Sequence, residues 1–424
     1  MTHDIEGDVI RVEGGKRLSG SVVLSGSKNG SLPLLAATLL MDGRCDLSNL
    51  ATVEDVRTMV ELLRSLGLKA NLGSDGKAVV ESTGLSTDTA SMELGRRMRA
   101  SFWIAGPMLA RLGRAAVPLP GGCDIGTRPV NFHLDGFQAL GARYRVEHGY
   151  VYLEADRLRG TTIYFDARYR SVGATINIAL AACLAEGTTI LENAAREPEV
   201  VDLCRFLEKM GANISGAGSG TLRIEGVNRL AGARHQAISD RIEAGTLLLA
   251  AGMTCGDVAV GPIAAEDLPV FGEKLREAGV EVTAEGDSIR AAAASRPKGV
   301  DISTGPFPLF ATDLQPPWVA MACISQGIGL IEETMYDARL SFVDELRRMG
   351  ADVRVANHLA LVRGVERLTG AKVRAQNIRA GAALVLAALA AEGESEISGR
   401  HAVLRGYDRL EEKLASLGAK IEVA

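Results

Sequence analysis

Two kinds of apolar stretch alternate along this chain. The first is apolar almost throughout and rich in small residues, near residues 31–42, 98–112, 173–186, 242–252, 312–327 and 379–392. A helix with no polar face belongs in a core. The second carries apolar residues at helical spacing, as in Leu203, Phe206, Leu207 and Met210, and stops at a glycine. It recurs as Leu63-Arg64-Ser65-Leu66-Gly67, Phe137-Gln138-Ala139-Leu140-Gly141, Leu207-Glu208-Lys209-Met210-Gly211, Leu275-Arg276-Glu277-Ala278-Gly279, Leu346-Arg347-Arg348-Met349-Gly350 and Leu414-Ala415-Ser416-Leu417-Gly418. The glycines suit the left-handed position that closes a helix, and strands such as Ala351–Val355 leave the cap. Their spacing of 68 to 74 residues predicts six units, each of two helices and several strands. So long a period with mixed elements excludes a solenoid of short repeats and divides naturally into two α/β domains of three units.

Length agrees, because 424 residues exceed what one core usually supports. The hydrophobic share of 47% and charged share of 23% are those of a soluble globular protein, while 4% aromatic residues leave alanine, leucine, valine and glycine to fill the interior. A net charge of −5 argues against a nucleic-acid surface but allows local basic pockets for small anions. The run Ala380–Ala391 is too short to span a bilayer. The acidic start, Met1–Asp8, lacks the layout of a secretory signal, so a cytoplasmic protein with no membrane partner is expected.

Cysteines 45, 123, 183, 204, 255 and 323 show no C-x-x-C pair or zinc-like spacing. Free thiols and no metal are expected, with the five other than Cys123 mostly packed in apolar helices. No strand is followed by G-x-G-x-x-G; Gly216–Gly220 precedes another strand, and a Walker A loop is absent. No cofactor is expected.

The candidate chemistry centres on Leu119-Pro120-Gly121-Gly122-Cys123-Asp124-Ile125-Gly126-Thr127-Arg128-Pro129-Val130. Its glycines and prolines predict an exposed loop, and Arg128 five residues on would ease ionisation of Cys123. The alternative is a small buried cysteine beside a structural turn. Lys28 in Ser25–Gly30, Arg99 in Met98–Ser101, Arg128, and Arg405 in Leu404–Tyr407 stand in small-residue contexts near the ends of apolar helices. Jointly they suggest a site for a small anion, to which helix amino termini would add.

Together, Ser25–Gly30, Met98–Trp103, Pro120–Val130, Ser171–Thr175, Glu192–Glu199, Thr312–Gln315 and Arg405–Tyr407 resemble the enolpyruvyl transferases over essentially the whole chain. The resemblance implies an α/β fold of two inside-out barrel domains, each of three βαβαββ-type repeats, joined by a double-crossover hinge. One domain would be 28–237, carrying the Cys123 lid loop, and the other 1–27 with 238–424, carrying Asp313 and Arg405. It further implies transfer of the enolpyruvyl group of phosphoenolpyruvate to the 3-hydroxyl of UDP-N-acetylglucosamine with release of phosphate, the first committed step of peptidoglycan synthesis. By resemblance, Lys28, Arg99, Arg128 and Arg405 bind phosphoenolpyruvate, with Lys28 and Arg405 also catalytic. Cys123 is the acid that protonates the alkene and the target of fosfomycin. Asp313 is the base, with a helix cap before Leu314 as its structural alternative. The acceptor positions are Asn29, Trp103, Arg128, Pro129, Val130, Asn131, Phe132, Ser171, Val172, Gly173, Asp313 and Met335.

Departures from the family pattern cluster at these segments. Asn131 and Asn377 stand where aspartates are usual, Asp337-Ala338-Arg339-Leu340 and Leu404 are altered, and Gln315-Pro316-Pro317-Trp318 follows the base. They leave the phosphoenolpyruvate residues in place, so another uridine nucleotide such as UMP, with Arg168 and Arg170 nearby, stays open as acceptor. A catalytically idle paralogue that binds a nucleotide sugar as a sensor stays open too. The branch acting on shikimate 3-phosphate fits less well, because the Cys123 and Ser171 segments follow the nucleotide-sugar branch.

Overall fold

The computed structural model describes residues 8–121, 130–166 and 170–424. It divides into two compact units, one of residues 8–25 and 239–424 and one of 26–121, 130–166 and 170–238. Each has its own hydrophobic core.

All six predicted apolar helices form. They are Lys28–Ala37 followed by a 3-10 turn to Leu40, Ala105–Leu112 preceded by the 3-10 stretch Arg99–Ile104, Val172–Ala182, Arg241–Met253, Gln315–Ile324 preceded by the turn Thr312–Leu314, and Ile378–Ala390. In the last, every residue from Arg379 to Leu389 is buried, as a helix without a polar face requires. The six amphipathic helices are Glu54–Ser65, Asn131–Ala139, Pro198–Met210, Pro269–Glu277, Val343–Arg348 and Leu410–Ser416. The glycines that follow them, Gly67, Gly141, Gly211, Gly279, Gly350 and Gly418, all take φ between 86° and 105°, where a side chain would be strained.

The order of elements repeats as strand, apolar helix, strand, amphipathic helix and hairpin. In one copy, Ile302–Ser303 leads to Gln315–Ile324, then Ile328–Glu332, Val343–Arg348, and the hairpin of Asp352–Ala356 with Leu359–Arg363. The first strand pairs parallel with the second, Ile302 opposite Ile331, and the hairpin adds antiparallel, with Leu330 opposite Leu361. Among the described residues there are six sheets, three per unit; five share this pattern, and in the sixth the strands Arg114–Pro118, Tyr150–Glu154 and Arg143–Glu147 pair antiparallel throughout. Val9–Glu13 pairs with both Glu394–Ser398 and Lys420–Val423, and Ser19–Val23 runs parallel to Asp257–Gly261, so the first strands complete the sheets of residues 239–424. The chain segment 26–238 is thus inserted between strand Ser19–Val23 and helix Arg241–Met253.

The unusual Gln315-Pro316-Pro317-Trp318 has a structural reason. Prolines in the first turn of Gln315–Ile324 cost no hydrogen bond, and Trp318 is buried edge-on against Phe271 and Phe310. The expectation for the cysteines needs correction. Cys45 lies on strand Met41–Ser48, Cys204 on amphipathic helix Pro198–Met210, and Cys255 in a turn with φ of 49°. Only Cys183 and Cys323 belong to apolar helices, at their ends. Burial disfavours the thiolate in four of the cysteines. It pushes Cys204 and Cys323 up to about 12, and raises Cys45 and Cys183 as well. No helix among the described residues is long and apolar enough to cross a membrane.

Candidate functional site

Cys123, Arg128 and Pro129 of the central loop, and Arg168, lie outside the described residues. The remaining candidates fall into two groups, one in each unit.

In residues 26–238, the start of helix Lys28–Ala37 is built by Ser27, whose hydroxyl caps it by accepting from the Gly30 amide at 3.1 Å. Gly26 precedes it because a Cβ there would stand 1.6 Å from the Asn49 carbonyl oxygen. The turn thus delivers Lys28, 8% exposed, to Asp55 in the first turn of helix Glu54–Ser65, with Nζ to Oδ2 at 2.8 Å. Asn29 follows, half-buried.

The 3-10 stretch Arg99–Ile104 packs against both Lys28–Ala37 and Val172–Ala182. It carries Arg99 and Trp103, both half-buried. Behind it, the fully buried Asn177 joins three elements. Its Oδ1 accepts from the Gly106 amide at 2.8 Å, and its Nδ2 donates to the Phe102 carbonyl at 2.8 Å and meets His133 Nδ1 at 3.0 Å. Because a backbone N–H can only donate, the Asn177 amide has one orientation, so His133 Nδ1 accepts and Nε2 carries the hydrogen. Burial, then the charge of Arg99, depresses the His133 pKa to about 3. Gly173, at the start of Val172–Ala182, faces this group; a Cβ on it would stand 3.2 Å from both His133 Nε2 and Trp103 Nε1. Ser171 caps that helix through the Ala174 amide at 3.2 Å, with Val172 half-buried beside it. On helix Asn131–Ala139, Asn131 is exposed and Phe132 half-buried, while Val130 occupies the N-cap position without a side-chain bond.

His133 makes stability pH-dependent. Its folded pKa lies below the unfolded value near 6.5, so its contribution is complete above that pH and is lost as the unfolded chain alone binds the proton, from about pH 6.5 toward 3. Denaturant unfolding of the wild type should therefore weaken in this window by up to about 1.4 kcal/mol per pH unit more steeply than that of His133→Gln. Parallel slopes would refute the neutral, buried imidazole.

In residues 239–424, Asp313 lies in the turn Thr312–Leu314 and is 26% exposed at its side chain. Its two oxygens are held separately, Oδ1 by Arg339 Nη2 at 2.6 Å and Oδ2 by Arg379 Nη2 at 2.9 Å. Both arginine side chains are at least 95% buried. The cap alternative for Asp313 is not realised, since the N-cap positions, Ala311 and Leu314, make no side-chain cap bond. Burial opposes the charge of Arg379, but Asp313, Tyr407 and Asp240 outweigh it and hold the guanidinium above its ordinary range. The Arg379 guanidinium also stacks 5.0 Å from the Tyr407 ring centre, and the Tyr407 hydroxyl meets Thr246 Oγ1 at 3.0 Å.

Glu333, 1% exposed, braces the same turn. It accepts from Thr312 Oγ1 at 2.9 Å and Thr304 Oγ1 at 3.1 Å, and from the amides of Met335 at 2.8 Å and Tyr336 at 3.2 Å. Met335 is thereby fixed near Asp313 in the chain of contacts. Asn377 takes over the cap of Ile378–Ala390, accepting from the Ala380 amide at 3.0 Å, so the amide in place of a carboxylate keeps the helix start intact. Arg405 follows the short helix Arg400–Leu404 and is half-buried, and Leu404, the last residue of that helix, is also half-buried. Ala338, two residues after Tyr336, carries no polar side-chain group.

Arg339, Arg379 and Glu333 carried no role in the sequence. The available signal was an arginine as the one charge within helix Ile378–Ala390, which a buried apolar helix does not tolerate without a partner. Among the described residues no group of three His, Cys, Asp or Glu could hold a metal ion.

Residues 12–414 match the family model of EPSP synthase (3-phosphoshikimate 1-carboxyvinyltransferase). The chain belongs to this enolpyruvyl transferase family. Among relatives of this enolpyruvyl transferase, the UDP-N-acetylglucosamine 1-carboxyvinyltransferase of Gloeobacter violaceus is 49% identical over 414 residues, covering 97% of this chain and 90% of the relative. UDP-N-acetylglucosamine 1-carboxyvinyltransferase 1 of Caldanaerobacter subterraneus subsp. tengcongensis is 47% identical over 410 residues, covering 97% and 98%. Of solved structures, the enolpyruvyl transferase NikO from Streptomyces tendae superposes with a TM-score of 0.89 at 26% identity, covering 98% of each chain. EPSP synthase from Acinetobacter baumannii shares the fold, with a TM-score of 0.74 at 18% identity over 98% of this chain and 99% of that one.

Proposed function

We propose that this enolpyruvyl transferase moves the enolpyruvyl group of phosphoenolpyruvate onto the 3-hydroxyl of UDP-N-acetylglucosamine and releases phosphate, a reading in keeping with relatives named UDP-N-acetylglucosamine 1-carboxyvinyltransferase. The observation that carries the reading is identity of 44% to 49%, sustained over 97% to 98% of the chain, with relatives so named. The Asp313 clamp supports it chemically, because an addition to an alkene needs a fixed base for the hydroxyl proton.

In the proposed reaction, Lys28, Arg99, Arg128 and Arg405 bind the phosphate and carboxylate of phosphoenolpyruvate, and fixed cations stabilise charge as it shifts toward phosphate. Cys123 gives a proton to the methylene carbon while the acceptor hydroxyl adds to the neighbouring carbon and surrenders its proton to Asp313. The tetrahedral adduct then expels phosphate, which takes the proton held by Asp313, while a methyl proton returns to the Cys123 thiolate, restoring the alkene on the sugar oxygen and both residues to their starting states. Arg339 and Arg379 hold the base in place. Asn29, Trp103, Arg128, Pro129, Val130, Asn131, Phe132, Ser171, Val172, Gly173, Asp313 and Met335 receive the acceptor. The exposed Asn131 and the capping role of Asn377 favour tolerated variation over a re-tailored acceptor site.

The proposal extends to architecture and place. The domains would be 28–237 and 1–27 with 238–424, each an inside-out α/β barrel of three repeats joined by a double-crossover hinge, and the repeated order of elements supports it. The chain would work in the cytoplasm on two small-molecule substrates. Fosfomycin tests the thiol: peptide mass mapping should find one adduct, on Cys123, slowed by phosphoenolpyruvate. An adduct elsewhere, or none, would remove Cys123 from its role.

A further inference from the structure

We propose that Asn193 is a positioning residue for the nucleotide end of the acceptor, holding Arg170 beside the first turn of helix Val172–Ala182; this rests on the reaction proposed above. Asn193 has φ of 57°, a left-handed conformation that asparagine adopts more readily than other non-glycine residues. Its amide is spent on one stretch of chain. Oδ1 accepts from Arg170 Nε at 2.7 Å, and Nδ2 donates to the carbonyls of Asp166 at 2.9 Å and Phe165 at 3.4 Å. The residues after Asn193 are fastened in turn. The Ala194 amide donates to the Gly220 carbonyl at 2.9 Å, and the Ala195 amide to Thr175 Oγ1, within the first helical turn, at 3.1 Å. Arg170 is therefore tied to a residue whose own neighbours are tied to that turn.

The turn is equipped for an anionic oxygen. The amino end of an eleven-residue helix presents unpaired amides and a positive field, and the Ser171 hydroxyl occupies the Ala174 amide. The second, independent feature is the pair of ring N–H groups at Gly173. His133 is 93% buried and neutral, its Nε2–H stands beside Gly173 together with Trp103 Nε1–H, and among the described residues neither N–H has an acceptor. Two ring N–H donors, a helix start and a guanidinium call for a charged oxygen-rich ligand, and a nucleoside diphosphate supplies one. Among the described residues Asn193 is the hydrogen-bond acceptor of Arg170, which leaves the two Nη groups for bidentate contact with a phosphoryl group.

The test is Asn193→Gly, chosen because glycine accepts φ of 57° and removes the amide without straining the backbone. We expect KM for UDP-N-acetylglucosamine to rise about tenfold, the size of one lost charge-assisted contact, with kcat and KM for phosphoenolpyruvate within about twofold. Arg170→Gln should give the same shift, and the double variant should be no worse than Arg170→Gln alone. Losses that multiply, or a KM for both substrates that rises alike, would overturn the role. The same cycle measured by calorimetry with UDP needs no turnover. UDP binding with coupled losses but no reaction would keep Asn193 in its role and refute the proposed function; no UDP binding by the wild type would overturn both.

Discussion

Asp313→Asn should lower kcat by about a hundredfold to ten-thousandfold, the range a positioned general base contributes, with smaller changes in either KM. The amide keeps the size and one oxygen of the side chain but turns an acceptor toward Arg339 or Arg379 into a donor facing a donor. Stability should fall as well. Both guanidiniums are nearly buried and share the Asp313 carboxylate, at 2.6 Å and 2.9 Å, so Asp313→Ala leaves two buried positive charges without their common counter-ion. Breaking a buried pair in this way typically costs about 3–5 kcal/mol. Denaturant unfolding with kcat measured on the folded fraction separates the effects. Asp313→Asn within about tenfold of wild-type kcat would exclude Asp313 as the base.

Lys28→Met should reduce kcat/KM for phosphoenolpyruvate by about a hundredfold or more, corresponding to about 3 kcal/mol for a charged hydrogen bond to the substrate. KM for the acceptor should change little. Methionine preserves the apolar stem, which matters for a side chain buried at the start of helix Lys28–Ala37. It also strips Asp55 of its cation at 2.8 Å, a structural cost unrelated to the substrate. The double variant Lys28→Met with Asp55→Asn should recover stability by removing the stranded carboxylate and should leave activity low. Recovery of both together would make Lys28 a structural residue only.

Much of the fold was legible because its signals are local. A helix that is apolar all round, such as Ile378–Ala390, declares its burial in thirteen consecutive residues. The glycines from Gly67 to Gly418 mark helix ends because their φ values near 100° suit no other residue well. Cys204 and Cys45 were misjudged for the converse reason: on an amphipathic helix or a strand, a cysteine faces the core only by register, which its neighbours barely reveal. The site was legible as residues but not as contacts. Asp313 finds Arg339 and Arg379 at separations of 26 and 66 residues, and Asn177 joins Phe102, Gly106 and His133 across 44 to 75 residues. No periodicity encodes such pairings. The alternative of a cap at Asp313 is not realised, and its carboxylate is held by two buried guanidiniums. At Asn377 the short polar side chain caps its helix as its type prefers.

The most direct measurement is phosphate release from phosphoenolpyruvate by the purified chain, run in parallel with UDP-N-acetylglucosamine and with UMP, and with Cys123→Ala as control. The account predicts steady release with the sugar nucleotide, little with UMP, and loss of turnover in the control. Release with UMP alone would contradict the proposed acceptor, and silence with both would contradict enolpyruvyl transfer and leave a nucleotide-sugar sensor.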